Sequence, residues 1–298
     1  MAEQSSILIV GYGEMGHAME TLLAPRHHLL FHDARPVAGH ESVGLDAATG
    51  VDGVIYCVPV TPLAGLAAQV FPLLATHCMS LSVAKGLDEA GRTAPQILAD
   101  VYGPERPYGV LYGPMIAEEI RVGRPAFAQA GVSHPQYRGR IAGWFHGSNL
   151  ALEYSADLAG IAWASVLKNV YALLFGMADE LQLGDNVRGY LAVAATREMQ
   201  AIIVRMGGVA ETAHQLAGLG DLVTTATSAG SHHHELGRRL ARGESAGPGA
   251  EGTHTLSMVR KFSLLDTADY PLFQLVQALV AEPSGIRRGM LDYLHMPL

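Results

Sequence analysis

The chain has 298 residues, of which 49% are hydrophobic and 16% charged, and its formal net charge is −8. That length suits one large domain or two ordinary ones with sizeable apolar cores, and an acidic balance with scattered Lys and Arg argues against a nucleic-acid surface. Cys57 and Cys78 stand at no metal or redox spacing, and Met1-Ala2-Glu3-Gln4 lacks the basic run of a secretory signal, so a reducing, cytoplasmic setting is expected.

Ile7-Leu8-Ile9-Val10 reads as a buried strand. Gly11-Tyr12-Gly13-Glu14-Met15-Gly16 follows at once, and His17 to Leu23 has a helical pattern closed by Pro25. Strand, G-x-G-x-x-G, then helix is the context of a dinucleotide loop. Gly11 permits the tight turn, Gly13 lets backbone approach a pyrophosphate, and Gly16 lets the helix pack on the strand. The helix N-terminus attracts the phosphates. His28 to His32 reads as the second strand, with Asp33 at its end. An acid at that distance binds a ribose diol, which points to NAD. Arg35 keeps NADP open, and an ordinary turn residue is the other reading of Asp33.

Val51 to Val58 is a further strand closed by Pro59, and Pro62 to Leu74 a helix. Met79 to Ala84 is a strand leading into Lys85-Gly86-Leu87. Val110-Leu111-Tyr112, Ala126 to Ala130 and Leu150 to Tyr154 complete the sheet, with a helix opened by Ser133-His134-Pro135. This alternation predicts a doubly wound, mostly parallel α/β Rossmann domain with ligands at the carboxyl ends of its strands. Lys85 falls at that edge, although a solvated surface lysine is the commoner fate.

Beyond about residue 155 strand signals vanish. Helices are expected over Leu158–Leu181, Val187–Met206, Val209–Leu216 and Leu236–Arg242, so residues 156–298 form an all-α domain after a dinucleotide domain of residues 1–155. The first of these helices nearly matches a bilayer in length, yet Lys168 and Asn169 sit at its middle. A buried helix carrying one ammonium into a cleft is the preferred reading, and Lys168 then serves either chemistry or a structural ion pair. Gly184-Asp185-Asn186 is a turn with an N-cap, and Gly207-Gly208 stops a helix. Gly218-Leu219-Gly220-Asp221 reads as a turn in which Asp221 is either a cap or a functional carboxylate. Ser231-His232-His233-His234 suggests metal at first sight, but chain neighbours rarely point at one ion, so no metal is expected.

These motifs in this order resemble the NAD(P)-dependent glycerol-3-phosphate dehydrogenases of bacterial type. The resemblance rests on the glycine loop, Val58-Pro59, Lys85-Gly86-Leu87, Gly113-Pro114-x-x-Ala117-x-Glu119, Leu167-Lys168-Asn169-Val170, Gly184-Asp185-Asn186, Gly218-Leu219-Gly220-Asp221-Leu222 and Glu251-Gly252. It implies a Rossmann domain followed by a helical domain, often in a homodimer, that interconverts dihydroxyacetone phosphate and glycerol 3-phosphate. Lys168 would exchange the proton, Lys85 would help hold substrate, and Asp221, Thr225 and Asn169 would order the cluster. Glu14, Met15, Pro59, Ala117, His232 and Glu251 would join Gly11, Gly13, Gly16, Asp33 and Lys85 around the dinucleotide. Gly113, Met115, Ser231, His232 and His233 match substrate positions beside Lys85, Lys168 and Asp221.

Four positions depart from the family pattern. Met115 replaces a hydroxyl residue, Ile116 a phenylalanine, and Ser231-His232-His233 stands where Ser-Arg-Asn is usual. Arginine is a permanent bidentate cation, whereas histidine near pH 7 is mostly neutral. The departures fall on substrate positions and leave Lys85, Lys168 and Asp221 in place. Two alternatives therefore accompany the main reading. One is a relative whose small hydroxy substrate lacks a phosphate monoester; the other is a non-catalytic NAD-binding sensor.

Overall fold

The computed structural model describes residues 4–36, 39–228, 230–245 and 251–296. Residues 1–3, read above for a signal sequence, lie outside them. The chain divides into two compact units, Met1–Asp88 with Arg92–Leu158, and Glu89–Gly91 with Ala159–Leu298.

The first unit is built on seven strands: β1 (Ser6–Val10), β2 (His28–His32), β3 (Gly53–Tyr56), β4 (Met79–Ser82), β5 (Tyr108–Tyr112), β6 (Ala126–Val132) and β7 (Leu150–Ser155). Their spatial order is β2-β1-β3-β4-β5-β6-β7. β2 through β5 run parallel, with Ile7 paired to Leu29 on one side and Gly53 on the other. β6 pairs antiparallel with β5 and parallel with β7. Central strands rich in Val, Ile and Leu are buried on both faces, as parallel sheets require; Ile7, Leu8, Ile9, Val54 and Ile55 have no exposed surface. Helices α1 (Glu14–Leu23), α2 (Val60–Val70), α3 (Ala94–Tyr102), α4 (Ala117–Arg121) and α5 (Arg138–Phe145) make the connections. α3 starts at a capping box, in which Thr93 and Gln96 satisfy each other's backbone N–H groups.

The second unit contains α6 (Leu158–Glu180), α7 (Asp185–Arg205), α8 (Asp221–Thr227), α9 (His232–Ala241), α10 (Glu251–Lys261), α11 (Pro271–Ala281) and α12 (Ile286–Tyr293). α6 is long and apolar enough to cross a membrane, but 89% of its apolar stretch is buried inside the protein. It is hydrophobic all round because it is surrounded by protein. Gly176 sits against the His234 carbonyl and Gly237 against the Leu173 carbonyl, so α6 and α9 touch backbone to backbone where no side chain fits. Glu198 on α7 accepts the Leu272 and Phe273 N–H groups at 2.5 and 2.9 Å, capping α11, and the Tyr171 hydroxyl at 2.9 Å. One carboxylate thereby ties α6, α7 and α11 together.

Two local expectations are corrected. Val209–Leu216 is not an α-helix: a 3-10 turn over Ala210–His214 leads into a π-helix over Leu216–Gly220. The Gly218–Asp221 turn is thus helical, because Gly218 lies against the Ala213 carbonyl where any side chain would collide. α9 begins at His232 rather than Leu236, since the Ser231 hydroxyl caps it by accepting the His234 N–H at 3.3 Å.

Candidate active site

Within the first unit, the C-terminal ends of β1 to β5 share one edge of the sheet and carry, in spatial order, Asp33, Gly11–Gly16, Cys57–Pro59, Val83–Lys85 and Gly113–Met115. The strand order reverses direction between β1 and β3, the position where open α/β sheets receive ligands. Gly11 has φ +97°, and a Cβ there would lie 2.7 Å from the Cys57 carbonyl oxygen. A Cβ on Gly16 would run into the Gly11 carbonyl. Gly13 is different: a Cβ there would meet nothing within 4 Å. Its bareness is not required by packing, and it leaves open backbone at the N-terminus of α1, where a dinucleotide's phosphates fit.

Asp33 is held by the loop it faces. Its Oδ2 accepts the Tyr12 N–H at 2.7 Å and its Oδ1 the Arg35 N–H at 2.8 Å. Burial pushes its pKa up, but these hydrogen bonds and the Arg35 charge outweigh burial and hold it below the ordinary carboxylate value. Arg35 is 81% exposed with Nε 3.6 Å from the carboxylate. The sequence reading passed over Tyr12; its place inside the glycine motif was the available signal. Glu14 meets Arg121 at 3.3 Å, Met15 is partly buried against the core, Pro59 precedes α2, and Ala117 opens α4. Lys85 is half-buried. Gly113 has φ +149° and touches the β6 backbone, and Met115, 7% exposed, packs into the hydrophobic core.

Within the second unit, Lys168 lies at the middle of α6 and is 6% exposed. Its Nζ donates to Thr225 Oγ1 at 2.8 Å and lies 3.2 Å from Asp221 Oδ1. Asp221 opens α8, and Thr225, one turn later, donates to the same carboxylate oxygen at 3.4 Å. The i, i+4 spacing puts both on one face of α8. Asn169 is 1% exposed and adjoins Lys168 on α6. A Cβ on Gly252, in the first turn of α10, would lie 2.9 Å from the Asn169 carbonyl and 3.4 Å from His233 Cδ2. His233 is therefore beside the segment carrying the lysine. The other two histidines go elsewhere: His232 is exposed, and His234 meets Asp179 of α6 at 2.7 Å. Glu251 opens α10, and its side chain lies outside the described part.

A dinucleotide edge on a Rossmann sheet, with a buried ammonium–carboxylate–hydroxyl cluster in a helical unit, defines the class of NAD(P)-dependent oxidoreductases. Two family models, the N-terminus and the C-terminus of NAD-dependent glycerol-3-phosphate dehydrogenase, match residues 41–137 and 157–289. An NAD(P)+ glycerol-3-phosphate dehydrogenase of Acidithiobacillus ferrooxidans is 30% identical over 280 residues, covering 88% of this chain and 81% of the relative. One of Gloeobacter violaceus is 30% identical over 282 residues, covering 92% of each. The crystal structure of the Coxiella burnetii glycerol-3-phosphate dehydrogenase has the same fold, with TM-score 0.86 and 23% identity over 98% of this chain and 99% of that one. The chain belongs to the NAD-dependent glycerol-3-phosphate dehydrogenase family.

Proposed function

We propose that this protein interconverts dihydroxyacetone phosphate and glycerol 3-phosphate, with Lys168 exchanging the proton. The observation that carries the reading is the buried contact of Lys168 with Asp221 and Thr225. A ketone that accepts a hydride becomes an alkoxide, and an ammonium proton neutralises it. Asp221 compensates the charge of Lys168 in a buried setting, and Thr225 fixes the direction of Nζ. When bound, NAD(P)H supplies the hydride and NAD(P)+ takes it up. Gly11, Gly13, Gly16, Glu14, Met15, Asp33, Pro59, Ala117, His232 and Glu251 are assigned to holding the dinucleotide. Lys85, Gly113, Met115, Ser231, His232 and His233 are assigned to substrate, and Asn169 to ordering the cluster. An ionised Asp33 favours a ribose diol over a 2′-phosphate, so NADH is the expected partner. Residues 1–155 act as the dinucleotide domain and 156–298 as the catalytic domain of a homodimer in a reducing, cytoplasmic setting.

A second reading keeps this chemistry and changes the substrate. Half-buried His233, beside the backbone of Asn169 and Gly252, stands where the family places a phosphate-gripping residue. A small hydroxy compound without a phosphate monoester would suit a site with imidazoles in place of a permanent guanidinium cation. Oxidation of NADH by dihydroxyacetone phosphate, followed from about pH 5.5 to about pH 8, separates the two. Turnover of dihydroxyacetone phosphate in this range supports a phosphate substrate. Turnover of unphosphorylated carbonyl compounds alone supports the second reading, and NADH binding without any turnover contradicts both.

A further inference from the structure

A cavity of about 710 Å³ lies between α10 and α11, within the size range of small-molecule sites. Buried Leu256, Val259 and Leu265 give it an apolar floor. Its polar wall offers Arg260, Ser263, Thr267, Gln274 and Gln277. Among the described residues that line it there is no carboxylate, in a chain with 28 Asp and Glu against 20 Lys and Arg. A donor-rich wall with one guanidinium selects for negative charge.

The backbone at the end of α10 gives an independent pointer. The Leu264 N–H donates to the Val259 carbonyl at 3.1 Å and the Ser263 N–H to the Arg260 carbonyl at 3.3 Å, a Schellman closure. α7 and α9 end in the same pattern with Gly207 and Gly243 at the left-handed position. α10 instead places Ser263 there, at φ +49°, one of three non-glycine residues with positive φ among those described. The substitution costs backbone strain and puts a hydroxyl on the cavity wall. None of these residues belongs to the Lys168 cluster, although the first turn of α10 packs beside Asn169 and His233.

We propose that the α10–α11 cavity binds a small anion bearing a phosphate or carboxylate group, with Arg260 as counter-ion and Ser263, Thr267, Gln274 and Gln277 as neutral donors. The test follows the amide resonances of Ser263, Gln274 and Gln277 in the full chain as inorganic phosphate, or separately succinate, is added at constant ionic strength. Saturable shifts at these three amides are expected, and the anion that produces them identifies the head group. Arg260→Gln, on an exposed position, weakens the binding roughly ten- to hundredfold. Ser263→Gly weakens it too while raising the melting temperature by about 2 °C, since glycine relieves the left-handed strain. Absence of saturable shifts with either anion, or equal affinity in the Arg260→Gln protein, overturns the proposal.

Discussion

Lys168 is an ammonium that the fold keeps from water and pairs with the Asp221 carboxylate at 3.2 Å. Truncating one partner of such a pair leaves the other charged and buried. Asp221→Ala is therefore expected to lower stability by about 3–5 kcal/mol, read from urea unfolding midpoints with the slope unchanged. A loss below about 1 kcal/mol would mean that the pair is hydrated as surface ion pairs are. The substrate end has the opposite character. His232 is exposed at the start of α9, with its neighbour His233 beside Gly252. If the phosphate grip was lost at His232, His232→Arg raises kcat/KM for dihydroxyacetone phosphate by roughly ten- to hundredfold, the worth of one charge-assisted contact. An unchanged or lower value means that no phosphate is held from this position.

At the level of elements, what could be read in the sequence was what adjacent residues encode. β1, the glycine loop and α1 are consecutive, so their strand, turn and helix signals reinforce one another. α6 announced itself by an apolar run interrupted by Lys168 and Asn169. The meeting of Lys168 with Asp221 and Thr225 was legible only through the family resemblance, because the Lys168–Thr225 contact spans 57 positions of sequence and no local periodicity links α6 to α8. The start of α9 was not legible because its first turn is three histidines with no apolar periodicity, so the helical pattern begins only at Leu236 although Ser231 is an ordinary N-cap. The π-helix over Leu216–Gly220 was misread because glycines signal turns, whereas Gly218 is there to let backbone meet backbone. Glu198 was invisible for a similar reason: its partners, Tyr171, Leu272 and Phe273, are remote in sequence.

Glu198 gives this scale its own prediction. Burial raises its pKa, and the hydrogen bonds from Leu272, Tyr171 and Phe273 offset burial only in part. An acid whose folded pKa exceeds its unfolded value, about 4.3, binds its proton more tightly when folded. Its contribution to stability is complete below the unfolded pKa and is lost as pH rises through the folded one. Glu198→Gln, with no charge to bury, removes this loss. The difference in stability between variant and parent should shift in favour of the variant as pH rises from about 4 to about 7. Melting curves across that range check it, and a shift toward the parent contradicts the sign.

For the whole molecule, the two units divide the chemistry. The first presents bare glycine backbone and an ionised Asp33 at one sheet edge, and the second presents a buried proton donor held by Asp221 and Thr225. Family membership spans both units, and the departures at Met115, Ile116, His232 and His233 leave the three glycines of the loop and Lys168, Asp221 and Thr225 in place. The central claim is that Lys168 moves the proton and does not merely fill the helical core. Lys168→Arg tests it most directly. Arginine keeps the positive charge beside Asp221 and so preserves the pair, yet it does not give up a proton at any working pH. The decisive measurement is turnover of dihydroxyacetone phosphate together with NADH affinity, in parent and variant side by side. Turnover is predicted to fall by about 10²–10⁴-fold, the usual worth of a general acid, while NADH affinity stays within about twofold. Turnover retained in the variant, or turnover and NADH affinity falling together, would contradict the assignment.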